Sequence, residues 1–311
     1  MAKHFESKRI YLFDEIFPCD YGFELDEDFY GYVSEFDEIV IADLTLDQKK
    51  VKKWIRLGKK VQIFDHHSET QWIEEYEGSV WDNTRCGTKI FWEEYVKPKI
   101  GRYKPIIDEF VDLVNTYDLW DKEGPLWDQA VNLNNVLYGV IDYSQDDIIE
   151  KLTPFYNLMS KKFSKLDHWR WTQKEIDVIE RAHQREEEMY TKAMETISYR
   201  EDSKGKYFAV IMIGSKVSLV ASRILEEQDY LDYLIVINTY GGVTGKLSFR
   251  SSRGFICHDI CVANGHDAAA GGKISSDDAK DFWENDDLCI RYNDEYDESK
   301  PNDIFNRVTY S

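Results

Sequence analysis

Carboxylates and imidazoles follow two short apolar segments of this sequence. Segment 39–42 ends at Asp43, and segment 61–64 ends at Asp65, His66 and His67. One carboxylate and two imidazoles at the end of a buried strand need many hydrogen-bond partners unless a metal lies nearby. This combination of donors suits Mn²⁺, Fe²⁺ or Zn²⁺. The alternative is that one histidine caps the following helix and the other side chains are solvated.

The two apolar segments are separated by a helical pattern at 46–57, which Gly58 closes. Strand, helix and strand in this order predict a parallel pair of strands. Ligands in open parallel sheets bind at the carboxyl ends of the strands. We therefore expect Asp43, Asp65, His66 and His67 to converge on one edge of a sheet.

Further patterns divide the chain into two halves. Helices are predicted at about 87–97, 105–120, 125–137 and 145–160, with Asp118 near the end of the second. A charged pattern at 171–198 predicts a connecting helix, and a second strand–helix–strand pattern begins at residue 206. The fold class that follows is α/β with two domains, a parallel-sheet domain at 1–155 and a smaller α/β domain at 196–311, joined by a helical connector at 156–195.

The second half offers groups that could hold a phosphate. Arg250 lies among small hydroxyl residues in SFRSS, where a guanidinium could bind a phosphate through two hydrogen bonds. The segment NGHDAAAGG predicts a turn in which backbone amides and His266 approach a ligand closely. A structural ion pair at Arg250 and a packing turn around His266 are the alternatives.

Composition limits the function classes. A formal net charge of −20 argues against the broad basic surface that binds duplex nucleic acid, and favours a nucleotide or a few nucleotides of single strand. Five scattered cysteines suit reduced thiols, and no segment suggests a membrane span or a secretory signal. We expect a cytoplasmic protein without a membrane partner, and leave a homo-oligomer open. Twenty tyrosines and nine tryptophans are too many to single out one ring for base stacking.

The order of the motifs IVIADLTL, IFDHHS, DLVNTYDLW, SFRSS and GHDAAAGG resembles that of the DHH/DHHA1 phosphoesterases over most of the chain. This family includes single-strand exonucleases, oligoribonucleases and cyclic-dinucleotide phosphodiesterases. The resemblance implies a DHH domain, a helical connector and a DHHA1 domain. It also implies hydrolysis of phosphodiester bonds with Mn²⁺, or with Mg²⁺ or another divalent metal.

The resemblance also assigns roles to individual residues. Asp43, His66 and Asp118 match metal ligands. Asp65 matches the residue that supports the ligands, and His67 the one that faces the substrate phosphate. The substrate-binding positions of the DHHA1 domain are matched by Arg250, Ser251, Gly265 and His266.

One family motif, His-x-Asp-x-Asp after a first strand, does not occur before Asp43. Asp14 or Asp20 could replace its ligands, the chain could work with one metal, or it could bind a nucleotide or a partner protein without catalysis. The expected function is therefore a metal-dependent phosphodiesterase or exonuclease acting on short single-stranded nucleic acid or cyclic nucleotides. A non-catalytic binding protein and a pyrophosphatase-like enzyme are the rivals.

Overall fold

A computed structural model describes residues 13–19, 26–44, 46–202, 204–238, 244–251, 254–257, 264–266 and 268–275 of the chain. The chain forms two compact units, Met1–Ile179 and Glu180–Ser311, which are described separately below. The boundary between them lies inside the predicted connecting helix. The metal-binding and substrate-binding roles of the two predicted domains stay predictions.

The first unit is built on a three-stranded parallel sheet in the order β1-β2-β3. After helix α1 (Glu27–Val33), the elements are β1 (Glu38–Ala42), α2 (Gln48–Arg56), β2 (Lys60–Asp65), a 3₁₀ helix (Ser68–Glu75) and β3 (Val80–Trp81). The predicted strand–helix–strand unit is confirmed. Ala42 pairs with Phe64, so that β1 and β2 end at the same level of the sheet.

Helices follow the sheet in the first unit. They are α3 (Gly87–Ile90), a π-helical segment (Phe91–Val96), α4 (Lys97–Ile100), α5 (Ile106–Asp118), α6 (Trp127–Val140) and α7 (Ile148–Lys165). The connecting helix α8 (Gln173–Thr196) begins in the first unit and ends in the second. Neighbouring residues of β2 point to opposite faces of the sheet. Ile63 packs with Trp54 of α2, whereas Phe64 packs in the core of the later helices with Ile90 and Val111. Apolar side chains thus cover both faces, as in most parallel sheets.

The second unit contains a six-stranded mixed sheet in the order β4-β5-β6-β7-β9-β8. Its elements are β4 (Ser198–Glu201), β5 (Tyr207–Met212), α9 (Val217–Glu227), β6 (Tyr233–Asn238), β7 (Thr244–Ser251), β8 (Asn264–His266) and β9 (Ala269–Ser275). The pair β5–β6 is parallel and the other pairs are antiparallel.

The predicted turn around His266 is part of a larger element. A turn at Ala268 lies between the antiparallel strands β8 and β9, whose small residues allow a close approach to β7. A Cβ atom on Gly271 would lie 2.9 Å from the carbonyl oxygen of Leu247. Among the described residues, each helix is too short or too polar to cross a bilayer.

A buried ion pair fastens the start of α8 to α7. The ammonium of Lys162 lies 2.8 Å from a carboxylate oxygen of Glu175, and both side chains are only 3% exposed. Glu175 also accepts a hydrogen bond from the backbone N–H of Thr172, which completes a capping box at the first turn of α8. The ring of Trp169 lies 4.5 Å from the same ammonium.

We predict that Lys162→Met lowers the free energy of unfolding by about 3 kcal/mol, because it leaves the Glu175 carboxylate buried without its cation. Urea unfolding measures this change. Lys161→Met, on the exposed side of the same helix, is the matched control and should change stability by less than about 0.5 kcal/mol. Equal losses in the two variants would contradict the assignment of the ion pair.

Candidate metal centre

The carboxyl ends of β1 and β2 bring four polar side chains together. Asp43 directly follows β1, and its backbone N–H donates to the carbonyl of Phe64 over 3.0 Å. Asp43, Asp65, His66 and His67 each offer a donor atom, and these atoms all lie within 4.8 Å of one another. The convergence predicted from the parallel topology is confirmed, while the roles of the four residues stay predictions.

His66 lies between two carboxylates. Its Nε2 atom is 3.4 Å from Oδ1 of Asp43 and 3.3 Å from Oδ2 of Asp118. The imidazole is 10% exposed, whereas the Asp43 and Asp118 side chains are 35% and 38% exposed. Asp118 reaches this position as the last residue of α5. The imidazole therefore forms the buried side of the centre, and the two carboxylates form the side that is exposed to solvent.

These separations fit donors that share one cation. Two donors at about 2.1 Å from a metal are about 3.0 Å apart at octahedral angles and about 3.4 Å apart at tetrahedral angles. The measured distances of 3.3 and 3.4 Å fall within that interval. Two carboxylates and one imidazole also form the donor set expected for Mn²⁺, Fe²⁺ or Zn²⁺. The residues present therefore fit a divalent metal.

A second carboxylate orients the other histidine. Asp65 is fully buried, and its Oδ1 lies 2.7 Å from Nδ1 of His67 and accepts the backbone N–H of His66 over 2.8 Å. This pairing directs Nδ1 of His67 toward the Asp65 carboxylate. The His66 and His67 rings are 4.4 Å apart. Asp65 thus fixes the direction of His67, and its hydrogen bond to the backbone holds His66 in place.

The charges of the centre favour a cation. Burial and the neighbouring charge of Asp43 raise the pKa of Asp118. Burial works to lower the pKa of His66, but the carboxylates of Asp43 and Asp118 outweigh it, and this pKa is raised. Burial works to raise the pKa of Asp65, but its hydrogen bonds with His67 and His66 outweigh it, and this pKa is lowered. A divalent cation at Asp43 and Asp118 would relieve the repulsion between the two carboxylates.

Gly87 is a site residue that sequence reasoning missed. A Cβ atom at this position would lie 2.6 Å from Oδ1 and 2.7 Å from Cβ of Asp43. The preceding backbone N–H, that of Cys86, donates to Oδ1 of Asn115 over 2.9 Å. Asn115 lies three residues before Asp118, so the start of α3 is fastened to the helix that carries this acid. The available signal was a glycine in the first turn of a predicted helix, which usually has a packing reason.

Cys86 lies beside the carboxylates of Asp43 and Asp118, but its thiol does not carry the negative charge of a metal ligand. Burial, together with the charges of Asp118 and Asp43, raises the pKa of its thiol to about 12. The side chain is buried, and at neutral pH it is a neutral thiol. It therefore packs the start of α3 rather than adding a thiolate to the donor set.

Two predicted substrate residues of the second unit form hydrogen bonds with other residues of that unit. The Arg250 guanidinium donates to the carbonyl of Phe249 over 2.8 Å and to Oγ of Ser218 over 3.1 Å. The hydroxyl of Ser251 donates to the carbonyl of Phe255 over 2.6 Å. Both side chains are partly buried. Their contacts preorganise the end of β7, and a role in substrate binding stays a prediction.

The other predicted residues of the second unit lie on β8. Strand β9 lies between β7 and β8, and its residue Ala269 pairs with Arg250 of β7 and with His266 of β8. Gly265 of β8 pairs with Ala270. The backbones of Arg250 and His266 are therefore at the same level of the sheet. The side chain of His266 lies outside the described part of the structure.

Asp14 and Asp20 were considered as replacements for the ligands of the His-x-Asp-x-Asp motif. Asp14 is exposed, and it is absent from the group of donors found among the described residues. Asp20 lies outside those residues. The described part of the centre thus consists of two carboxylates around His66, with the Asp65–His67 pair beside them.

Known proteins share parts of this sequence and fold. No family model matches the sequence. The oligoribonuclease NrnB of Bacillus subtilis is 24% identical over 230 residues, which are 66% of this chain and 57% of that protein. The chain thus spans little more than half the length of this curated relative.

Solved structures supply a match of fold. The DHH domain of a protein described as a member of a ribosomal-protein family has a TM-score of 0.50 at 13% identity, covering 86% of this chain and 76% of that one. An uncharacterized protein from Helicobacter pylori G27 covers 83% and 85% of the two chains at 19% identity, but its TM-score of 0.30 supports no argument. The similarity to the DHH domain supports the α/β architecture of the chain.

We predict that Asp65→Asn weakens Mn²⁺ binding about 10- to 100-fold, because the buried charge that orients His67 is lost while its volume is kept. Calorimetric titration with Mn²⁺ measures the affinity. Asp82→Asn, at a carboxylate paired with Arg85, is the control and should bind as wild type does. An unchanged affinity in Asp65→Asn would show that the Asp65–His67 pair does not support the centre.

We predict that Gly87→Ala weakens Mn²⁺ binding at least about tenfold, because the added methyl group collides with Asp43 and moves its carboxylate. Gly31→Ala is the matched control, since a Cβ atom there meets nothing within 4 Å. The same titration, with melting temperatures for both variants, separates displaced ligands from lost folding. A Gly87→Ala protein that binds Mn²⁺ normally would contradict the close packing at Asp43.

Proposed function

We propose that this chain, which belongs to the DHH/DHHA1 phosphoesterase family, is a divalent-metal-dependent phosphodiesterase. The proposal goes beyond family membership, because it assigns an activity, a metal and a substrate class to the chain. Mn²⁺ is the metal we favour, with Mg²⁺ or another divalent metal as the alternative. The proposed substrates are short single-stranded nucleic acids, oligonucleotides or cyclic nucleotides.

The observation that carries the proposal is the position of His66 between Asp43 and Asp118, 3.4 and 3.3 Å from its Nε2 atom. These residues would hold the metal, and a divalent cation supplies neutralisation of phosphoryl oxygens and activation of water. Asp65 holds His67 with one ring nitrogen directed toward its carboxylate. His67 can therefore bind a phosphate oxygen through Nε2–H, or take up a proton at that atom.

The substrate class is supported by charge and by similarity. With a net charge of −20, the chain lacks the positive field that draws long duplexes to a protein. A short substrate needs few phosphate contacts, and Arg250 is a guanidinium that could provide one of them. The similarity to the oligoribonuclease NrnB supports the same substrate class.

A non-catalytic nucleotide-binding protein is the second candidate. One observation favours it, since Asp43 and Asp118 both lie against the same nitrogen of His66. Within the described residues, one imidazole nitrogen flanked by two carboxylates suits a single metal better than a pair. Hydrolysis and metal stoichiometry separate the candidates, because a binding protein would take up nucleotide without turnover.

We predict that the protein hydrolyses short RNA or a cyclic dinucleotide in the presence of Mn²⁺, and that His66→Ala and Asp118→Ala each lower kcat/KM at least about 100-fold by removing metal ligands. His168→Ala is the control, because this histidine is 74% exposed and pairs with Glu109. Far-ultraviolet circular dichroism checks that each variant is folded.

Two results would reject this function. Turnover that survives in folded His66→Ala would show that the activity arises elsewhere in the preparation or in the chain. Nucleotide binding without any turnover by the wild-type protein, over a panel of short RNA, short DNA, cyclic dinucleotides and phosphoadenosine phosphate, would favour the binding protein.

A further inference from the structure

Helix α5 ends two residues before an aromatic side chain in an unusual backbone conformation. The N–H of Asp121 donates to the carbonyl of Thr116 over 3.0 Å, and the N–H of Trp120 donates to the carbonyl of Tyr117 over 3.1 Å. These two bonds form a Schellman motif, in which the residue after the C-cap adopts the left-handed conformation. That residue is Trp120, with a φ angle of 55°.

Glycine is the usual residue at this position, because a side chain in the left-handed conformation clashes with the backbone. Asparagine is the common substitute, and a large ring is disfavoured. The helix end alone therefore does not explain a tryptophan here. Residues held in such conformations cluster at functional sites.

Two further rings hold Trp120 in place. Its ring centroid lies 5.5 Å from that of Tyr117 and 5.0 Å from that of Trp127, in edge-to-face arrangements. Tyr117 and Trp127 are parallel to within 6°, and the side-chain amide of Asn134 donates to the Tyr117 hydroxyl over 2.9 Å. All three rings are partly buried and keep some contact with solvent.

The aromatic cluster adjoins the candidate metal centre. Trp120 is two residues beyond Asp118, so that their Cα atoms are at most about 7.6 Å apart. Tyr117 precedes Asp118 directly in the same helix. The helix end that presents one predicted metal ligand thus also presents the rings.

We propose that Trp120, supported by Tyr117 and Trp127, is the stacking platform for the nucleobase of the nucleotide whose phosphate binds at the metal centre. This inference rests on the proposed function, which supplies the nucleotide. Stacking on an aromatic ring accepts every base, because every base has a π face. The platform therefore selects nucleotides over base-free phosphate esters and has little preference among bases.

The test compares two ligands that differ only in the base. Adenosine monophosphate and ribose 5-phosphate are titrated, in Mn²⁺, into the wild-type protein and into Trp120→Gly, with binding followed by calorimetry. Wild type should bind adenosine monophosphate at least about fivefold more tightly than ribose 5-phosphate, the lower limit for stacking one base on a ring. Trp120→Gly should lose this preference while its affinity for ribose 5-phosphate stays unchanged.

Stability and conservative replacement separate stacking from packing. Trp120→Gly suits the left-handed position and should melt at or above the wild-type temperature if the ring serves a ligand. Trp120→Phe should keep part of the preference for the base. If Trp120→Gly fails to fold, Trp120→Asn, which also tolerates this conformation, is titrated in its place. Tyr143→Ala, which removes a ring that is 62% exposed, is the control and should bind both ligands as wild type does.

An unchanged preference for adenosine monophosphate in Trp120→Gly or Trp120→Asn would overturn the inference. So would a wild-type protein that binds the two ligands equally or binds neither. The readout is binding and needs no turnover, so a failure of the hydrolysis assay rejects the proposed enzyme without deciding this test.

Discussion

Asp43 leaves β1 in a left-handed conformation, with a φ angle of 57°, and the backbone of Gly87 packs directly against its side chain. This close approach sets the position of one carboxylate. The hydrogen bond from the Cys86 N–H to Asn115 fastens the same turn to helix α5, which ends at Asp118 and sets the other carboxylate. Both distances from His66 therefore depend on one turn, at which a side chain larger than hydrogen has no space.

Electrostatics explain why such a centre suits phosphate chemistry in a strongly acidic chain. The chain carries a formal charge of −20, and exposed carboxylates repel phosphate at long range. Burial and the charge of Asp43 raise the pKa of Asp118, and a cation would relieve the repulsion between the two carboxylates. A divalent cation would also reverse the local field and make the same position attractive to phosphate. A bound cation would thus make the acidity of the protein compatible with the proposed phosphoester substrate.

The sequence predicted those parts of the fold and site that follow from local patterns. Apolar segments ending at Asp43 and Asp65 predicted two parallel strands, and topology alone brought these acids together. Asp118 was identified only through resemblance, because an acid at a helix end is common. Gly87 was missed, since its role is a contact between residues 44 positions apart, and no local pattern reports such a contact. The segment around His266 was expected to be a turn, but most of it forms strands, because glycine and alanine lack the side-chain bulk that would prevent the approach of Gly271 to Leu247.

A left-handed backbone conformation is shared by the candidate metal centre and the aromatic cluster beside it. Among the described residues, three side chains other than glycine adopt a left-handed φ, and two of them, Asp43 and Trp120, belong to the candidate centre or its immediate surroundings. Aspartate tolerates this conformation better than most residues, and its place there directs a carboxylate toward His66. Tryptophan has no such tolerance, and the Schellman motif would form more easily with glycine. Packing with Tyr117 and Trp127 can stabilise Trp120 in this conformation. This packing does not explain why the position carries a tryptophan instead of a glycine. A requirement for the ring itself, beside a centre that fits a divalent metal and for which we propose a nucleotide substrate, accounts for both the residue and its conformation.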